Sequence, residues 1–175
     1  MLKILVSACL AGHPVRYNGK AKSAKEAAHE AVLARWRDEG RLVTVCPEVA
    51  AGFPTPRPPA EIQLRRSGAD VLAAEATIKD NTGADVTALF IAGAQHALER
   101  ALAENCRFAL LADGSPSCGS SFIHDGAFSG STHPATGVTV ALLQRNGIRV
   151  FAESQIAELE AEIAHDPVRS NRRSV

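Results

Sequence analysis

Phe108-Ala109-Leu110-Leu111-Ala112-Asp113-Gly114-Ser115-Pro116-Ser117-Cys118-Gly119-Ser120 is the stretch from which the rest of the chain can be read. Its apolar first part, closed by Asp113-Gly114, predicts a buried strand that stops at a turn. Cys118 therefore leaves the C-terminal end of a strand on a stiff loop. Pro116 fixes φ and removes a backbone donor, and Gly119 lets the backbone approach whatever the thiol holds. Ser115, Ser117, Ser120 and Ser121 add hydroxyls that can bond to sulfur or to a polar ligand.

Two earlier stretches repeat this arrangement. Lys3 to Ser7 predicts a first strand that runs out at Cys9, and Leu42 to Val45 predicts a second that runs out at Cys46, followed at once by Pro47 and Glu48. Between them, Leu10 to Lys22 is a loop broken by Gly12, Pro14 and Gly19. Ser23-x-x-Glu26 is a capping-box pattern that opens a helix with apolar residues at helical spacing through Trp36, ending near Gly40. A second long helix is expected between Asp85 and Asn105, with Asp85 or Thr87 as its cap. A short one is expected from Gly137 to Asn146, with Gly147 as its C-terminal cap. Ile148 to Phe151 predicts a further strand, and Ser154 starts a final amphipathic helix.

Strands alternating with helices imply βαβ units. The expected fold is a single α/β domain over residues 1–165, Rossmann-like, with a mostly parallel sheet covered by helices on both faces. Residues 166–175 read as a basic, disordered tail. Gly52 to Pro59, with Pro54, Pro56, Pro58 and Pro59, is a stiff extended loop, either a connector or a wall that holds Arg57 over a pocket. Val71–Ala73 and Ala76–Ile78, followed by the turn at Asp80–Gly83, are expected to form a small hairpin or flap.

At 175 residues one domain with a full core is expected, and 19 Lys plus Arg against 19 Asp plus Glu leave no electrostatic footprint for nucleic acid. Met1 to Val6 is too short for a signal peptide, and no apolar run approaches the ~20 residues of a membrane span, so a cytoplasmic protein is expected. In a reducing compartment the four cysteines are buried thiols, metal ligands or nucleophiles rather than a disulfide framework. Cys106, at the entry of a strand, reads as a small buried hydrophobe. Ligands of parallel sheets bind outside the carboxyl ends of the strands, where Cys9, Cys46 and Cys118 converge. No Cys-x-x-Cys pair is present to clamp a zinc ion. Iron–sulfur ligation, zinc and structural thiols remain open on spacing alone. Among the histidines, His29, His96 and His165 read as surface residues. His124 and His133 flank the Gly/Ser-rich stretch after the cysteine loop, from which either can enter the pocket, but neither is read as a ligand.

Val6-Ser7-Ala8-Cys9-Leu10, Val15-Arg16-Tyr17-Asn18-Gly19, Cys46-Pro47-Glu48-Val49, Pro54 to Ile62, Asp85-Val86-Thr87, Ser115 to Ser120, Gly137-Val138-Thr139 and Asn146-Gly147-Ile148 stand in an order that resembles the thiouracil desulfurase family. The resemblance covers nearly the whole chain apart from the tail. It implies a four-iron, four-sulfur (4Fe-4S) cluster held by Cys9, Cys46 and Cys118 with one iron open, and removal of sulfur from thiolated uracil, without net redox change, to give uracil and sulfide. It further implies proton handling by Glu48 and by Ser115 in preference to Ser117. Arg16, Asn18 and Arg57 are candidates for binding the pyrimidine, a small thiolated base being the expected partner. The alternatives are a non-catalytic iron–sulfur or zinc protein, acting as sensor or sulfur carrier, and a cysteine-dependent hydrolase using Cys118. The Ala112-Asp113-Gly114 step before the serines departs from the longer, more charged residues expected there.

Overall fold

A computed structural model describes residues 1–22 and 27–165, so the Ser23–Glu26 capping box and the 166–175 tail lie outside the described residues. In chain order the first half holds β1 (Ile4–Ser7), α1 (Ala27–Asp38), β2 (Leu42–Val45), α2 (Pro47–Ala50), β3 (Ala60–Ile62), α3 (Gly68–Leu72), β4 (Ile78–Asp80) and α4 (Thr87–Ala103). The second half holds β5 (Phe108–Leu111), β6 (Ile123–His124), β7 (Thr132–His133), α5 (Val138–Arg145), β8 (Arg149–Ala152) and α6 (Ile156–His165).

The main sheet has four strands in the order β2-β1-β5-β8, and every pair is parallel, with Leu5 opposite both Val43 and Ala109, and Ala109 opposite Val150. All residues of β1 and β5 are buried, whereas β2 and β8 each leave residues open to solvent. That difference follows from position, since the inner strands are covered on both faces and read as continuous apolar runs. Their side chains still alternate. Ile4, Val6, Phe108 and Leu110 pack with Leu33 and Trp36 of α1 and with Leu159 and Ile163 of α6. Leu5, Ala109 and Leu111 pack with Ala97 and Ala101 of α4 and with Val140 and Leu143 of α5. Each large side chain fully buried in this way contributes about 2 kcal/mol of transfer free energy. The doubly wound fold expected from the pattern is the one observed.

The flap region differs from expectation. Val71–Ala73 is not a strand: Val71 and Leu72 belong to α3, because Ser67 is its N-cap and forms a capping box with Asp70. The Ser67 N–H donates to Asp70 Oδ2 at 2.7 Å, and the Asp70 N–H returns a bond to Ser67 Oγ at 3.3 Å. The antiparallel hairpin is instead β3 with β4, registering Ala60 with Asp80 and Ile62 with Ile78. The Asp80 turn is present, with Asp80 Oδ1 accepting the N–H groups of Thr82 and Ala84. Two elements carried no periodic signal because they are too short: α2 directly after Cys46, and the β6–β7 hairpin in the Gly/Ser-rich stretch. Helix α4 starts at Thr87, and Asp85 Oδ1 accepts the Thr87 N–H at 2.9 Å. Gly147 closes α5 with φ +78°, as expected of a C-terminal cap.

One glycine couples the far helix layer to the Cys46 loop. A Cβ on Gly93, in α4, would lie 2.4 Å from the Pro47 carbonyl oxygen at the start of α2. Gly93→Ala forces α2 away from α4. The expected result in denaturant unfolding is a loss of about 1–3 kcal/mol; a stability equal to the native chain's contradicts this packing.

Candidate active site

The chain steps from β1 to β2 on one side and then crosses to β5 and β8 on the other, so the topological switch point lies between β1 and β5. At the carboxyl ends of these strands opens a cavity of about 350 Å³ whose lining includes Cys9, Cys46 and Cys118. Cys9 lies just past β1, Cys46 directly after β2, and Cys118 on the loop after β5. All are free thiols. Cys106 is buried in the core under α4, away from the cavity, as expected of a small hydrophobe.

Backbone bonds fix each thiol-bearing loop. The Ala8 N–H donates to Val45 O at 2.8 Å, which couples the ends of β1 and β2, and the Lys22 N–H donates to Cys9 O at 3.0 Å. The Cys118 loop rests on the start of α5. The N–H groups of Gly137, Val138 and Thr139 donate to the carbonyls of Gly119, Pro116 and Ser117. This approach requires glycine at 137, because a Cβ there would lie 2.3 Å from Ser117 O. Asp113 holds the same loop from its other side, its Oδ1 accepting the N–H groups of Ser120 and Ser121, both at 2.8 Å. The Asp113 N–H in turn donates to Glu153 Oε2 at 2.6 Å, and Lys22 pairs with Glu153 while donating to Asp113 O. The departure noted at Asp113 in the sequence is therefore the anchor of the cysteine loop.

Burial pushes the Cys9 thiol up to about 11, assisted by negative charge at Cys46 and opposed by Lys22 and Arg16. Cys46 is raised chiefly by burial, and Cys118 is raised furthest, again by burial first and then by charge at Cys9. Such thiols stay protonated unless a cation displaces the proton. The trend runs against Cys118 as a free nucleophile, which needs a lowered pKa. It suits soft-metal ligation, in which thiolates are stabilised by the metal itself. Among the described residues, no three His, Cys, Asp or Glu side chains are close enough to share one metal ion. A donor set of thiols spread around one cavity fits a group with several metal atoms better than a single zinc.

Glu48 occupies the first turn of α2 and lines the cavity. Its Oε2 accepts from Arg57 Nε at 2.6 Å, and its Oε1 accepts from Ser115 Oγ at 3.3 Å. Ser115 Oγ itself accepts the N–H groups of Ser117 and Cys118, at 3.0 and 3.3 Å, so its single proton is directed at Glu48. Arg57 is buried, and its remaining donors go to Val15 O, Pro54 O and Thr55 Oγ1. The proline-rich segment is thus a wall whose arginine faces inward and fixes Glu48. Arg16 lines the cavity rim beside the Tyr17 ring. Asn18 is exposed, bonds within its own loop to the Lys20 N–H, and is not among the lining residues. Ser117 is fully buried behind the loop, its hydroxyl 2.8 Å from Thr139 Oγ1.

Lys22, Glu61, Asp113, His124 and Phe128 also line the cavity. None was assigned a role from the sequence, although Glu61 stands in the Pro54–Ile62 motif and Asp113 precedes the serines. The fold and this cavity define a doubly wound α/β protein with three thiols, a carboxylate and a hydroxyl at its switch point. The chain belongs to the 2-thiouracil desulfurase family, whose profile it matches over residues 4–155. It is 44% identical over 156 residues to an uncharacterized protein, YbbK, of Bacillus subtilis (strain 168), covering 89% of this chain and 99% of that one. A solved structure described as a 4Fe-4S-dependent thiouracil desulfidase, TudS, superimposes with a TM-score of 0.80 at 46% identity, covering 94% of this chain and 99% of its own.

In the Arg57–Glu48 pair the arginine is buried and the carboxylate largely so, with side chains 4% and 15% exposed. Removing one partner of such a pair leaves a charge uncompensated and costs about 3–5 kcal/mol. Arg57→Met is expected to destabilise by that order, and Glu48→Gln in the same background to recover part of the loss. Additive effects of the two substitutions in a double-mutant cycle contradict the pairing.

Proposed function

We propose that this protein removes sulfur from 2-thiouracil, or a closely related thiolated pyrimidine, to give uracil and sulfide, using a 4Fe-4S cluster held by Cys9, Cys46 and Cys118. The observation that carries this reading is the meeting of three thiols with the Glu48–Ser115 pair in one cavity at the switch point. Family membership and the likeness to a structure described as a 4Fe-4S-dependent thiouracil desulfidase support the same reading. Cys9, Cys46 and Cys118 would hold the cluster by three ligands, and an iron left without a protein ligand would supply Lewis acidity toward the sulfur of a thiolated base.

The chain's own residues provide the proton chemistry. Glu48 holds a water near the thiocarbonyl carbon and takes its proton as the water attacks. Arg57, bonded to the other oxygen of the same carboxylate, keeps Glu48 aimed. Ser115 donates to Glu48 and fixes its free oxygen; when Glu48 is protonated, the hydroxyl can rotate its proton toward the departing sulfur. Apolar lining such as Phe90, Pro47 and Val45 lowers the local dielectric and strengthens these interactions. Arg16, which lines the cavity, is the residue we assign to a pyrimidine oxygen. No helix among the described residues is long and apolar enough to cross a membrane. The free thiols suit the reducing cytoplasm, where we place the protein.

Anaerobic reconstitution with iron and sulfide tests the assignment. About four irons per chain are expected, with sulfide released from 2-thiouracil. Cys9→Ala, Cys46→Ala and Cys118→Ala are expected to lose cluster and turnover together, whereas Cys106→Ala keeps both. Glu48→Gln is expected to keep the iron and lose turnover by about 100-fold or more. Turnover that survives removal of iron, or that depends on Cys118 alone, overturns the proposal.

A further inference from the structure

The cavity wall built by β3 and the β6–β7 hairpin carries a carboxylate and an imidazole that the proton chemistry above leaves without a task. Glu61, on β3, is only 7% exposed. Its Oε2 is occupied by the N–H groups of Gly126 and Phe128, at 2.9 and 3.0 Å. Its Oε1 faces Nδ1 of His124 at 4.0 Å. That Nδ1 is buried and has no hydrogen-bond partner, while the side chain as a whole is 40% exposed and lines the cavity. The ring therefore turns one nitrogen to the buried carboxylate and its open edge to the cavity.

Two glycines border this arrangement. A Cβ on Gly126, where φ is +90°, would lie 2.4 Å from Ile62 O, so the turn can press against β3 only with glycine there. A Cβ on Gly114 would lie 3.9 Å from His124 Nε2, which puts that nitrogen beside the backbone that leads directly into Ser115. A carboxylate buried against a surface turn is costly unless its charge is used. Here it pins the turn that carries Phe128, a lining residue, and faces Nδ1 of His124, so that Nε2 is the ring nitrogen left to meet a ligand in the cavity.

We propose that His124 is a substrate-binding residue whose Nε2 accepts a hydrogen bond from a ring N–H of the thiolated pyrimidine, and that Glu61 is the positioning residue that orients the imidazole and holds the Phe128 turn over the ring. The ligand assignment rests on the desulfurase function proposed above; the placement of His124 and Glu61 does not.

The test uses the full chain, reconstituted anaerobically, with His124→Ala, His124→Gln and Glu61→Ala. Uracil, which carries the same ring N–H groups, is the binding probe, titrated by ligand-observed NMR. Iron content equal to native is expected in all three. In His124→Ala, KM and the uracil dissociation constant are each expected to rise about tenfold, with kcat within about threefold of native. His124→Gln, which keeps an acceptor, is expected to recover part of the affinity. Glu61→Ala is expected to raise both constants and to speed amide exchange at Gly126 and Phe128; should it fold poorly, the His124 pair decides alone. Uracil affinity and KM unchanged in His124→Ala overturn the proposal. If the loaded native protein binds uracil but releases no sulfide from 2-thiouracil, the desulfurase reading fails while the His124 comparison still stands. If the native protein binds no uracil, the proposal itself fails.

Discussion

Everything at the site depends on the parallel pairing of β1 with both β2 and β5. Parallel strands end on the same edge of a sheet, so cysteines separated by tens of residues, each placed just past a strand, arrive around one cavity. The register of Ser7 with Val45 leaves no slack between the Cys9 and Cys46 loops. The order β2-β1-β5-β8 then makes the crevice, because chain reversal between β1 and β5 parts the loops above them. An antiparallel pairing of any of these strands would send a thiol to the opposite edge.

Around that edge the molecule satisfies its buried charges in pairs, and each pair also holds a loop. Arg57 binds Glu48 and the carbonyls of Val15 and Pro54, which ties the proline-rich wall to the loop after β1. Lys22, Glu153 and Asp113 tie the loop after β1 to the loops after β5 and β8. Glu61 ties the β6–β7 turn to β3. Desolvated charges of this kind contribute little net stability against apolar replacements, but breaking one partner is expensive. Their consequence is position: Cys118 sits on a loop, and Glu48 and His124 sit on elements only four and two residues long, which these contacts hold in place. Burial of the thiols works in the same direction. Raised in their free state, they keep their protons until a soft metal group takes them.

Much of this was legible in the sequence because the informative residues lie at strand ends. The strand of Phe108 to Leu111 and the stop at Asp113-Gly114 announced both a parallel sheet and the loop of Cys118, and the same logic placed Cys9 and Cys46. Glu48 and Ser115 came with the motifs around them. What sequence could not supply was contact across elements. Arg57 read equally as a connector residue or as a residue over the pocket, and only its bonds to Glu48 and Val15 show that it faces inward. Ser117 and Asn18, attractive by neighbourhood, turn away from the cavity because a serine two residues from another on a tight loop points behind it, and because Asn18 closes its own turn. The α3 segment was misread as strand since Val71 and Leu72 are apolar neighbours, while the Ser67–Asp70 capping box that decides for helix spans only four residues. Glu61 stood in the Pro54–Ile62 motif and His124 beside the Gly/Ser-rich stretch, but nothing in the sequence joined the two, which meet only through the β3–β4 and β6–β7 hairpins.

The measurement that bears most directly on the three-thiol site is Mössbauer spectroscopy of the anaerobically reconstituted protein with and without 2-thiouracil. A four-iron cluster with three protein thiolates contains one iron unlike the other three, and the account predicts that the substrate shifts the signal of that iron alone. A spectrum in which all irons are equivalent, or in which 2-thiouracil leaves every iron unchanged, contradicts a cluster held by Cys9, Cys46 and Cys118 with its fourth position open to sulfur.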